Sequence, residues 1–237
     1  MNFSHFPALT LTAALALGAT TAQAVEMTGG SVGLTYSTFT DETDLNRVGL
    51  EGSVELGFPR NFSLQIDAAY HDFDWVNAES TLLGLHGIYH MNAATSFGLF
   101  YTREKFEGEE ADIAGVEVAH EIQDWRFEGY IADTDSITGG TFGGVQARYE
   151  MSQGFGLTGY FDRSEANNGD LTRFAVRLDR DVSPSTNLFI EVGSAEADFG
   201  SGSETEPFVA LGGKIMFGAD RSTTFEQRGL ARLIPGL

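Results

Sequence analysis

Three groups of residues in this chain have the types and spacing to do chemistry. His71 stands beside Asp72 and Asp74, His86 and His90 lie four residues apart, and residues 104–112 read EKFEGEEAD. A histidine next to carboxylates can act as a general base when a nucleophile or an acidic proton lies within hydrogen-bond reach. No nucleophile accompanies these histidines at a spacing that signals a triad, so the sequence points to lumen-type polar networks, and no catalytic residue is assigned. Hydrolysis is the least favoured of the functions weighed below. The acidic group Glu104, Glu107, Glu109, Glu110 and Asp112 would instead concentrate cations by its field. Calcium-loop spacing is absent, so neither a dedicated metal site nor a cofactor is expected.

The elements that would position these residues are readable from one stretch, Val48 to Tyr70. Val48, Leu50, Val54, Leu56 and Phe58 occupy even positions, against Glu51, Ser53 and Glu55 on odd ones. After Pro59-Arg60-Asn61 the alternation resumes with Phe62, Leu64, Ile66, Ala68 and Tyr70 against Ser63, Gln65, Asp67 and His71. Alternating faces at period two mean strands, and the proline and asparagine between them mean a tight hairpin. Each apolar run is about ten residues, the length of a tilted membrane-crossing strand.

The same pattern recurs about twelve times, although ten or fourteen strands fit it as well. Connections alternate between short ones, such as Ser152-Gln153-Gly154, and longer acidic ones, such as 41–46, 104–112 and 162–170. The apolar parity carries charge only near run ends, at Asp72, Arg103, Asp112, Arg180 and Glu196. A mid-bilayer Arg or Lys on that face would cost about 2–4 kcal/mol. The expected fold is therefore all-β: an antiparallel up-and-down transmembrane barrel over residues 25–218.

With parity set, the inward charges follow. Acids come early, at Glu51, Glu55, Asp67, Glu117 and Glu128, and bases come late, at Arg126, Arg148, Arg173, Arg177 and Lys214. Sequential strands are neighbours in such a barrel, so acids and bases should line opposite walls. Opposed walls would set a transverse field across a narrow pore; the competing reading is a lumen closed by ladders of salt bridges.

Composition sets the outer bounds. The formal charge is −20, with 29 Gly, 19 Phe, 5 Pro and no Cys. So acidic a chain repels nucleic acid and attracts cations. An apolar run over 8–20, followed by Ala22-Gln23-Ala24, reads as a secretory signal peptide spanning 1–24. The end, residues 219–237 (ADRSTTFEQRGLARLIPGL), breaks the alternation and brings Arg221, Arg228 and Arg232 together with Phe225, Leu230, Leu233 and Ile234. It is expected as a periplasmic tail, either loose or folded back against lumen acids.

These features resemble the Gram-negative outer-membrane β-barrels, and among them the porin-like proteins. Gly213, Ile215 and Phe217 in LGGKIMF are similar to the last-strand signal read by the barrel assembly machinery, except that the chain continues past Phe217. The resemblance implies an integral outer-membrane protein in contact with lipid and lipopolysaccharide, single or as a homo-oligomer. Its function would be passive diffusion of ions and small polar solutes, with cations preferred. A closed structural or adhesive barrel acting through its acidic loops is the alternative.

Overall fold

A computed structural model describes residues 25–74, 78–135, 139–166, 169–198, 200, 202–219 and 222–235. The export signal expected at 1–24 and Arg221 lie outside the described residues. Twelve strands are found among those described: β1 (Glu26–Phe39), β2 (Asn46–Phe58), β3 (Phe62–Phe73), β4 (Ala78–Asn92), β5 (Thr95–Phe106) and β6 (Glu109–Ile122), then β7 (Trp125–Asp135), β8 (Gly140–Glu150), β9 (Phe155–Ala166), β10 (Gly169–Ser183), β11 (Thr186–Asp198) and β12 (Ser203–Phe217). Every strand pairs antiparallel with its sequence neighbours, and β1 closes on β12. The up-and-down barrel implied by the alternation is the observed fold. Closure leaves no sheet edge, the condition for a β-structure in a bilayer.

Period two decides which way each side chain faces. Leu34, Leu83, Leu99, Ile131, Val145 and Leu211 point outward and are each more than half exposed. In a water-soluble protein such a belt would be untenable; here it forms the lipid face. Outward aromatics meet at the short-turn rim, where Phe62 and Tyr89 lie 5.1 Å apart and Trp125 and Tyr149 4.9 Å apart. The β2–β3 turn has positive φ at Arg60 (70°) and Asn61 (66°). Two left-handed central residues make the type I′ geometry that matches strand twist.

The opposite end corrects the sequence reading. The connection expected over 104–112 shrinks to Glu107 and Gly108, because β5 and β6 run on as paired strands beyond the apolar zone. Above a bilayer both faces meet water, so apolar alternation stops while the ladder continues. Cross-strand ion pairs hold the extension: Arg103 chelates Asp112 through Nε (2.7 Å) and Nη2 (2.9 Å), and Lys105 pairs with Glu110.

Of the two courses expected for the tail, it takes the one folded back against lumen acids, and it goes deeper than the mouth. After Phe217 the chain turns at Gly218 (φ 100°), where a side chain would strike the Thr28 carbonyl, and it enters the barrel rather than the space below it. Residues 222–235 climb the lumen toward the long-loop end, with a single 3₁₀ turn over Leu230–Leu233. They complete three of the four buried apolar clusters. Phe225 packs on Ile88 and Ala119, Ala231 on Phe73 and Ala78, and Leu233 on Phe100, Ile113, Tyr130 and Phe142. The physical reason is that inward Phe73, Phe100 and Phe142 offer apolar surface that water in a lumen would leave wetted. Burying each matching side chain contributes about 1.5–3 kcal/mol.

Candidate functional site

The lumen has two walls of different character. On one, β2 to β7 place Glu55, Asp67, Glu117 and Glu128 inward, all nearly inaccessible, with Glu51 more open. Glu104 belongs to this wall as well. It is buried and accepts from Ser80 Oγ (2.8 Å), so its expected place at the outer mouth is corrected by the parity of the extended β5. Glu107, Glu109 and Glu110 are exposed at that mouth, and Asp112 is held by Arg103 on the outer surface.

Four of the six acids of this wall, Glu55, Glu104, Glu117 and Glu128, are engaged by the tail. The Thr224 N–H donates to Glu55 Oε2 (2.6 Å). Arg228, 1% exposed, reaches Glu117 Oε2 from Nε (2.9 Å) and Glu128 Oε2 from Nη2 (3.0 Å). Its guanidinium also lies 4.4 Å above the Tyr130 ring. The N–H groups of Leu230 and Ala231 donate to the two oxygens of Glu104 at 2.6 and 3.2 Å. Gln65 meets the Phe225 backbone through both amide atoms, donating at 3.0 Å and accepting at 3.3 Å. Phe225 can come this close because Gly98 lacks a side chain; a Cβ there would stand 2.8 Å from its ring. Charge-assisted bonds of this kind are about twice as strong as neutral ones.

The other wall balances itself. Arg173 on β10 bridges Asp162 (2.8 Å) and Glu191, Arg177 takes the second Glu191 oxygen (2.8 Å), and Arg148 pairs with Asp179 (2.9 Å). Asp162, Asp179 and Glu191 were missed as site residues, although each sits beside an outward Phe161, Leu178 or Ile190 and parity alone places it inside. Arg126 turns back to Glu121 and Glu128 and donates to the Thr224 carbonyl. Lys214 makes no ion pair or hydrogen bond among the described residues.

Beside the tail remains a cavity of about 600 Å³, lined by Arg148, Arg177, Asn187 and Lys214 of this second wall, by Arg232 and Gln227 of the tail, and by Glu51 and Glu128 of the first wall, among others. It includes Gln123, Asp124 and Pro184 at the short-turn mouth and reaches up to Arg47, Arg173 and Pro235. Buried Phe39, Tyr160, Ala175 and Phe208 form an apolar layer at its far side.

The histidines are parts of polar networks. His86 has Asp67 at 2.8 Å from Nε2 and Glu117 at 2.5 Å from Nδ1, between the rings of Phe100 and Phe225. His71 lies 3.7 Å from Glu51, while Asp72 points outward. His90 touches Ser63 and Ser96 at 2.9 Å each, with Glu55 3.6 Å from Nε2. That set has the residue types of a triad. However, Glu55 is beyond hydrogen-bond distance, and the neighbouring backbone N–H groups serve the strand ladder and cannot cradle an oxyanion.

No family model and no curated protein matches the sequence. Solved structures do match in fold. The KdgM porin, in a complex with disordered oligogalacturonate, aligns at a TM-score of 0.65 and 12% identity, covering 79% of this chain and 99% of its own. The NanC porin aligns at 0.59 and 9% identity over 79% and 100% of the two chains. The COG4313 outer membrane channel from Pseudomonas putida F1 aligns at 0.56 and 12% identity over 83% and 97%. The chain has the fold of outer-membrane porins and channels.

Proposed function

We propose that this barrel is integral to the bacterial outer membrane and works as a porin-like channel for passive diffusion of ions and small polar solutes, cations preferred. The observation that carries the reading is the division of faces: an apolar belt outside and a charged interior that keeps a cavity of about 600 Å³. The short-turn mouth, where β1 begins and β12 ends, would face the periplasm. Cation preference is supported by the charge of −20 and by exposed Glu107, Glu109 and Glu110 at the outer end. Lipid and lipopolysaccharide are its expected surroundings, and the barrel assembly machinery its partner in biogenesis.

A second reading is favoured by a specific observation, the occupation of the lumen by residues 222–235. It makes the protein a closed structural or adhesive barrel. Planar-bilayer recording of the purified protein under a salt gradient separates the two. Stepwise conductance with a reversal potential toward the cation supports the channel, and silent bilayers support the closed barrel. Anion selectivity would overturn the cation preference and make Arg148, Arg177 and Lys214 the groups that choose the solute.

A further inference from the structure

We propose that residues 222–235 are a self-inhibitory plug seated on the acidic wall, and that their departure both opens the lumen and strengthens its selectivity for cations. The proposal rests on the channel reading above and deepens it.

The mode of attachment argues for a displaceable segment. Among the described residues, the backbone-to-backbone bond joining tail to barrel is Ala219 N–H to the Met27 carbonyl (3.4 Å), at the root. Higher up, every polar contact among the described residues uses a side chain: Glu55, Gln65, Glu104, Glu117 and Glu128 hold the tail, Ser37, Arg47 and Arg126 donate to its carbonyls, Arg232 reaches Gln146 (3.1 Å), and Gln227 reaches the Gly52 carbonyl (2.8 Å). The tail adds no strand, so it can withdraw without breaking one bond of the barrel ladder.

The charges argue for the selectivity change. Withdrawal from a solid core would leave Glu117 and Glu128 buried without the Arg228 charge, at severe cost. In a barrel, water follows the tail out, and the carboxylates rehydrate in an open lumen. Glu128 then keeps Arg126 and Glu117 keeps His86, but the Arg228 charge is gone from both and Glu104 loses its two tail N–H groups, whereas the opposite wall keeps its arginines paired with Asp162, Asp179 and Glu191. The uncovered side therefore dominates the pore potential.

The test is single-channel recording in planar bilayers under a KCl gradient, comparing the full-length protein, a variant lacking 219–237, and Arg228→Glu. The deletion leaves all strands whole, and Arg228→Glu sets a third carboxylate beside Glu117 and Glu128 while leaving the strands' own sequence unchanged. Both variants should show a several-fold larger unit conductance and a reversal potential displaced toward K⁺ relative to full length. Should the deletion fail to refold, Arg228→Glu alone decides. Equal conductance in all three, or opening without the shift toward K⁺, overturns the plug and leaves the channel reading standing. Silence from all three, with each migrating as a heat-modifiable folded barrel, removes both.

Discussion

The two walls of the lumen solve the same problem in different ways. Each holds charges taken out of bulk water, and such charges need partners. The β8–β12 wall carries acids and bases on adjacent or next-but-one strands, so Arg173, Arg177 and Arg148 find Asp162, Glu191 and Asp179 within the barrel itself. The β2–β7 wall carries an excess of acids, satisfied in large part from the tail through Arg228 and through backbone N–H groups. The difference shows that a wall balanced within itself needs little from the tail beyond Arg232, 3.5 Å from Asp162, while an unbalanced one recruits a segment from elsewhere in the chain.

Substitutions can break this contrast. The largest effect is expected on the balanced wall. Arg173→Ala leaves buried Asp162 and Glu191 without their shared cation and should lower barrel stability by about 3–5 kcal/mol, read from guanidinium unfolding in detergent. Next comes the lipid face of the acidic wall, where Val54→Arg should cost about 2–4 kcal/mol and appear as impaired assembly. Near-wild-type folding would show the outward parity to be misassigned. Arg228→Ala removes a cation as deeply buried as Arg173, yet its expected effect on strand unfolding is smaller than either, about 1 kcal/mol. The tail should become cleavable by added protease while the barrel resists. A loss equal to that of Arg173→Ala would mean that the two walls do not differ in kind. Smallest in stability is Glu51→Arg, which should assemble normally and move the reversal potential away from K⁺.

Much of this was legible in the alternation. Strand identity, facing and closure follow from a period of two, which any lipid-exposed strand must obey. Legibility ended where the physical constraint ended. Above the bilayer no apolar face is required, so β5 and β6 run on unannounced and Glu104 reads as a loop residue. Asp162 was hidden in the same way, inside a stretch read as a connection. The inward aromatics were a signal left unused: Phe39, Phe73, Phe100, Phe142 and Phe208 all occupy the wet parity, and in an empty water-filled lumen they would have no reason to be there. The tail's own sequence shows that Phe225 and Leu233 need burial, but without periodicity it cannot say against what.

Gly218 has a consequence of another kind. It roots the lumen segment at the very mouth the segment must pass, so that segment is held on a short leash. A leash of this length keeps its own end at an effective concentration on the order of millimolar. A soluble molecule competing for Glu104, Glu117 and Glu128 from the same side would have to exceed that concentration or bind more tightly than the tail. Once the competitor leaves, the resident returns without searching. The closed state is thus restored locally, in each barrel separately, and its midpoint should not depend on how many copies the membrane holds.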